Sequence, residues 1–226
     1  MKFGLFAKKK GMTQIFDEKG NVIPVTLLEA GPCVVVEKRT KAKHGYEAIQ
    51  VGYEMKSEKK MNKPERGYFA KKKLDCFKHL KEFRVSPVDD FDIGQVMTAA
   101  AFQVGDFVDV EGVTKGRGFQ GVIKRHGKAG GPDSHGSDFH RRTGSIGMRT
   151  WPGRVLKNMR LPGHYGDVQV TTRHLKVVGV KPEQNLLLVE GAVPGSTNGL
   201  VVIYSRKEDF PKRFKVDAPK AETPAA

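Results

Sequence analysis

The sequence predicts a mainly β protein: a closed antiparallel barrel with a small helical insertion and a long, irregular, basic loop. Three observations predict it. Short β-branched or apolar runs, separated by turn residues, fill most of the chain. One stretch alone carries helix signals. One window, residues 115–166, shows neither periodicity and concentrates charge and glycine. At 226 residues the chain suits one domain with elaborations, or two at most.

The elements follow in order. Asn21 to Ala30, Pro32 to Lys38, Ala48 to Tyr53 and Glu82 to Val85 read as strands, with turns such as Asp17-Glu18-Lys19-Gly20 between them, and are expected to be antiparallel neighbours. Pro64 to Leu80 is the segment with helical content. Pro64 suits a first helical position and Tyr68, Lys71, Lys72 and Leu74 follow, although Gly67 weakens the helix. It is placed in a peripheral insertion over about residues 56–81. Phe107 to Val113 is a further strand. After the basic window come Val168 to Val180, Leu186 to Val189 and Leu200 to Tyr204, joined by Pro182-Glu183-Gln184-Asn185 and by Pro194-Gly195-Ser196-Thr197-Asn198-Gly199. The expected organisation is a barrel domain of residues 1–114 and 167–206, interrupted by residues 115–166, with 207–226 as a partly disordered tail.

Charge is the most informative feature. Forty Lys and Arg against 25 Asp and Glu give +15 and a pI near 9.8, with 38% hydrophobic residues, enough for a core. Lys115 to Gly166 holds 11 Lys and Arg, 2 acids (Asp133 and Asp138), 12 Gly and 4 His, and so carries +9 of the total. The other 174 residues hold 29 basic and 23 acidic side chains, an ordinary soluble surface. Within the window 13 of 52 residues are hydrophobic, without periodicity, so it buries no core of its own. Charge of this density demands a partner of opposite sign.

Several classes are set aside. The apolar runs Val34-Val35-Val36 and Leu186-Leu187-Leu188-Val189 are far shorter than the ~18 residues a membrane span requires. Met1 to Ala7 runs into Lys8-Lys9-Lys10 with no signal-peptide pattern, which places the protein in the cytoplasm. Cys33 and Cys76 form no CxxC pair and read as small buried hydrophobes.

Gly116-Arg117-Gly118-Phe119-Gln120-Gly121 fits G-x-G-x-x-G after a strand, but Gly127 stops the following helix at once and no βαβ unit follows, so a dinucleotide fingerprint fails its context. No P-loop pattern is present. The glycines instead let backbone approach a phosphate chain, with Lys115, Arg117, Lys124 and Arg125 supplying charge and Phe119 a stacking or packing face. His126, His135, His140 and His164 match no metal-ligand spacing and lack cysteines or glutamates to complete a set; they read as donors or stacking planes beside phosphates. Ser134, Ser137 and Ser145 lack a G-x-S-x-G elbow and a positioned acid. Arg141, Arg142, Arg149, Arg154, Lys157 and Arg160 recur among Gly144, Gly147, Gly153 and Gly163. An Arg fork clamps two phosphate oxygens or lies flat on a base. Ile146, Met148, Trp151, Val155, Leu156 and Leu161 argue against a purely solvated tail. Trp151 reads either as a core anchor or as a contact with the partner; its distance from any strand favours the partner.

Three stretches, Gly4 to Ala30, Lys115 to Gly166 (beginning KGRGFQGVIKRHG) and Asn185 to Gly195 (NLLLVEGAVPG), resemble, in the same order, the family of the universal large-subunit ribosomal protein number three in its bacterial form. The resemblance implies a translation-protein type β-barrel with a glycine- and arginine-rich finger, here residues 115–166, whose tip is about Gly144 to Gly153. It implies binding near the 3′ end of the large-subunit rRNA early in assembly, with the finger tip towards the peptidyl transferase centre. Some bacterial relatives carry an N-methylated glutamine after the Gly-Ser-Ile-Gly turn; here Met148-Arg149-Thr150 follows, so the modification is not carried over.

The expected rRNA contacts are Lys8, Lys9, Lys10, Lys115, Arg117, Phe119, Lys124, Arg125, His126, Lys128, His135, His140, Arg141, Arg142, Arg149, Trp151, Arg154, Lys157, Arg160 and His164. The expected partners are large-subunit rRNA and neighbouring large-subunit ribosomal proteins, with no membrane and no small-molecule substrate. No catalytic residue, metal or cofactor is expected, Mg²⁺ entering only as an rRNA counterion. An RNA-modifying enzyme and a DNA architectural protein with an intercalating Trp151 are the rival classes.

Overall fold

The structure is a computed structural model that describes residues 3–206; the expected C-terminal tail, 207–226, lies outside the described residues. The chain divides into two compact units: residues up to Val113 together with those from Val170, and Thr114–Gln169.

The first unit contains the closed barrel. Its strands are β1 (Gly4–Phe16), β2 (Val22–Ala30), β7 (Phe107–Val113), β10 (Gln169–Lys181), β11 (Leu186–Glu190) and β12 (Leu200–Ser205), in the order β1-β12-β7-β10-β11-β2 around the closure. Closure removes exposed sheet edges. Neighbouring strands pair antiparallel, as in Leu5 opposite Ile203 and Leu188 opposite Leu27. Leu5, Leu28, Val110, Leu187 and Ile203 fill the interior.

β1 is not legible as a strand in the sequence, because Lys8-Lys9-Lys10-Gly11 breaks the alternation of apolar and polar residues. The register shifts between Lys9 and Gly11, and the lysines are satisfied locally. Lys8 pairs with Glu54 at 2.9 Å and Lys10 with Glu29 at 2.8 Å, while the Lys9 ammonium donates to the carbonyls of Val193 and Gly195 at 2.7 and 3.3 Å.

A second correction concerns the early strands. β3 (Cys33–Arg39), β4 (Ala48–Met55), β5 (Phe77–Phe83) and the two-residue β6 (Val96–Met97) form a separate four-stranded sheet, ordered β5-β4-β3-β6, and not part of the barrel wall. Its inner residues Val35, Ile49, Val51, Phe83 and Met97 join the barrel residues in one core. Phe83 is central to that junction, with ring contacts to Phe3, Phe6 and Tyr204 at centroid distances of 5.8, 6.2 and 6.0 Å. Glu111 on β7 accepts from Lys81 on β5 at 2.8 Å and from the Tyr204 hydroxyl on β12 at 2.6 Å. Burial alone would raise the Glu111 carboxyl, but these two donors hold it below the usual carboxylate range.

The helical insertion is shorter than expected. α2 spans Lys63–Lys72, with Pro64 in its first turn, and ends where Lys73 turns left-handed at φ 55°. Phe77–Phe83, assigned by sequence partly to the helix, is a strand paired to β4. α2 packs through Phe69 onto Val36, Cys76 and Phe77, a small cluster on the outer side of the second sheet. Two further short helices are α1 (Lys41–His44) and α3 (Val122–His126), the latter stopped by Gly127 as the sequence indicates. Both cysteines are buried and unbridged, and burial pushes the Cys33 thiol up to about 12. Among the described residues no helix is long and apolar enough to cross a membrane.

Candidate nucleic-acid interface

Thr114–Gln169 begins as a narrow two-armed stem held by main-chain bonds. Thr114 N–H donates to the Val168 carbonyl at 2.9 Å, Arg117 N–H to Tyr165 at 2.8 Å, and Tyr165 N–H to Gly118 at 2.9 Å. The short strands β8 (Phe119–Gln120) and β9 (Gly163–His164) continue it. The arms approach so closely that a Cβ on Gly166, whose φ is +76°, would stand 2.2 Å from the Lys115 carbonyl oxygen. Glycine is a steric requirement there.

Beyond the stem, α3 turns the outgoing arm, and Gly127 closes it in the left-handed conformation. The last turn of α3 reaches back to the return arm: the Arg125 guanidinium donates to the Leu161 carbonyl at 2.8 Å and the His126 Nε2 lies 3.1 Å from the same oxygen. A side loop is closed by Gly131 N–H donating to the His140 carbonyl at 2.7 Å, with the Phe139 ring laid over Gly131. Lys128 reaches the Thr143 carbonyl at 3.5 Å. The Arg117 guanidinium sits over the Tyr165 ring at 5.3 Å.

This unit has almost no core. Val122 is its one buried hydrophobic side chain, whereas Trp151 is 85% exposed, Phe119 75% and Met148 72%, with Ile146, Val155 and Leu156 also open. Its conformation rests on backbone bonds and glycine contacts. Trp151 packs into no core.

The electrostatics of the two units differ. In the first, Lys8, Lys10, Arg39, Lys72, Lys81 and others pair with carboxylates. In Thr114–Gln169, eleven Lys and Arg face three Asp. Among the described residues none of those eleven forms an ion pair; the single charge contact is His140 Nδ1 with Asp133 at 3.6 Å. Lys115, Arg117, Lys124, Arg141, Arg142, Arg149, Arg154, Lys157, Arg160, His135 and His164 are exposed, and Arg125, His126 and Lys128 partly so. The structure thus gathers seventeen of the twenty residues assigned by sequence into one unit. Lys8, Lys9 and Lys10 lie apart on β1, with their ammonium groups already engaged.

Fold and site together define a class: a β-barrel protein carrying a cationic, glycine-rich segment that has little core of its own. Comparison with known proteins gives the family. The family model described as Ribosomal protein L3 matches residues 82–185. The large ribosomal subunit protein uL3 of Desulfitobacterium hafniense is 51% identical over 200 residues, 88% of this chain and 94% of that protein. The uL3 of Geobacter sulfurreducens is 51% identical over 203 residues, covering 90% and 97%, and that of Brachyspira hyodysenteriae 50% over 202, covering 89% and 93%. The chain belongs to the ribosomal protein L3 family.

Proposed function

We propose that the protein is a non-enzymatic, rRNA-binding component of the bacterial large ribosomal subunit, and that Thr114–Gln169 is its principal RNA contact. The carrying observation is the set of eleven Lys and Arg without a carboxylate partner among the described residues, on a segment with a single buried hydrophobic side chain. A chain that cannot bury apolar surface gains its stabilisation by ordering against a partner, and phosphates supply the missing charge. Arginine forks and glycine-permitted close approach suit an irregular RNA groove, and exposed Trp151 and Phe119 suit base stacking. Membership of the family supports early association near the 3′ end of the large-subunit rRNA, with the Gly144–Gly153 region approaching the peptidyl transferase centre. Cytoplasmic location and contacts with neighbouring ribosomal proteins follow from the same reading. The protein shapes a site and does no chemistry, and Mg²⁺ serves only as a counterion of the RNA.

If six to ten basic residues meet phosphates, affinity for isolated rRNA falls by ~10³ to 10⁵ between 50 and 200 mM salt. The test is sedimentation of lysate through a sucrose gradient with and without a 0.5 M salt wash. Stoichiometric, wash-resistant residence in the large subunit is expected, and release as free protein overturns the reading. Within it, Arg141→Glu with Arg142→Glu impairs incorporation more than Lys19→Glu in the β1–β2 turn. Equal occupancy of the two variants removes the assignment of this segment.

A further inference from the structure

The barrel carries a second cationic surface that the sequence did not single out. From Val170 to Lys176 on β10 no residue is buried, and Leu175 alone of these packs against the core. His174 takes a left-handed backbone conformation within β10. Its φ is +63°, and its N–H donates to the Asp109 carboxylate on β7 at 3.0 Å. Asp109 is fully buried and also receives the Arg206 Nε–H at 2.9 Å. The His174 ring lies parallel to Phe107, with centroids 4.4 Å apart and planes 21° apart.

One contact settles what the ring presents outwards. Arg206 Nη1 lies 2.8 Å from His174 Nδ1, and a guanidinium can only donate, so Nδ1 carries the lone pair and Nε2 the hydrogen. The ring, held by Phe107 on one side and Arg206 at one edge, therefore offers a fixed N–H donor. Arg206 spends two of its five N–H groups on Asp109 and His174 and, among the described residues, keeps three. Its charge offsets that of Asp109. Arg173 and Lys176, exposed and without an ion pair among the described residues, leave the patch positive.

We propose that this patch, His174 and Arg206 flanked by Arg173 and Lys176, is a phosphate-gripping site for a second segment of RNA, separate from the Thr114–Gln169 contacts. It rests on the reading that RNA is the partner. A donor pre-set by stacking and by a buried carboxylate loses little rotamer freedom on binding, which free surface lysines cannot match.

The experiment uses the full chain and transcribed bacterial large-subunit rRNA, with filter binding across a salt series. Arg173→Gln with Lys176→Gln removes two phosphate contacts and should lower the slope of log K against log salt by about 1.4 to 1.8. His174→Asn, a residue that tolerates positive φ, should weaken binding about tenfold at fixed salt. The Arg173→Gln, Lys176→Gln double variant should melt at the wild-type temperature. An unchanged slope and affinity in these variants, with Arg141→Gln plus Arg142→Gln still lowering the slope, overturns this site and leaves the main reading intact. Loss of incorporation into subunits with unchanged RNA binding also overturns it, assigning the patch to a protein neighbour. Failure of the wild-type chain to bind the rRNA overturns both.

Discussion

Gly166 sits where the arms of the basic unit come closest, and no other residue type meets both of its demands. An added Cβ would lie 2.2 Å from the Lys115 carbonyl and about 3.0 Å from the Gly116 Cα, and a side chain at φ +76° is unfavourable by about 1–2 kcal/mol even in open space. Gly166→Ala should therefore part the stem locally. Hydrogen exchange at the Arg117 and Tyr165 amides, which pair across it, should speed up by at least about tenfold, since each 1.4 kcal/mol is a factor of ten. Thermal melting of the barrel should stay put, and exchange rates equal to wild type would remove the steric argument. Gly118, by contrast, has open space around it at φ +64° and answers only the conformational demand.

Among the elements, α2 is held to β3 by charge as well as by the packing of Phe69. Glu37 on β3 accepts from Lys72 at 2.8 Å and contacts the Tyr68 hydroxyl and the Arg39 guanidinium. Burial would raise its carboxyl, yet the donors Lys72 and Tyr68 outweigh burial and hold it below the usual range. A depressed carboxyl contributes stability that is present above its unfolded value, about 4.3, and lost as pH falls through the folded value. Glu37→Gln should thus cost about 1–2 kcal/mol at neutral pH, with the gap to wild type closing below about pH 4. Urea denaturation at pH 7 and at pH 3.5 measures it; a gap that persists undiminished at the lower pH contradicts the assignment. The same elements show what the sequence discloses. β7 was legible to the residue because Phe107 to Val113 sets Val108 and Val110 in alternation with other side chains and is bounded by turns. β1 was hidden because its lysines find partners on Glu54, Glu29 and two carbonyls distant in sequence, and β5 because His79 and Lys81 take inward positions that usually belong to apolar side chains. Second-sheet membership depends on long-range pairing, which local pattern cannot encode. The basic segment was legible from charge and glycine alone, whereas the His174 patch was not, since it exists only once Asp109, Phe107 and Arg206 meet across strands.

At the scale of the whole molecule, the buried core and the densest positive charge lie in different parts of the chain. Apart from Val122, every buried hydrophobic side chain among the described residues belongs to the first unit. The basic segment leaves and rejoins the barrel between β7 and β10, where Thr114 N–H meets the Val168 carbonyl at 2.9 Å, so its ends are already side by side. Closing that gap with a short turn costs little loop entropy, because the closure term grows only as (3/2)RT ln n. Replacing residues 115–167 by a two-residue Asn-Gly turn should leave a folded barrel whose melting temperature shifts by no more than about 4–8 °C, the change that ~1 kcal/mol produces in a domain of 60–100 residues and more than it produces in a larger one. The same deletion removes all eleven Lys and Arg of the segment, and the salt dependence of rRNA binding should fall to what the remaining surface supplies. Phe83→Ala is the converse variant. It empties the junction between barrel and second sheet, should cost about 3–5 kcal/mol, and leaves the cationic segment chemically untouched. The pair of variants separates the two roles: a deletion that unfolds the barrel, or a Phe83→Ala protein with wild-type melting, would show that stability is distributed across both units.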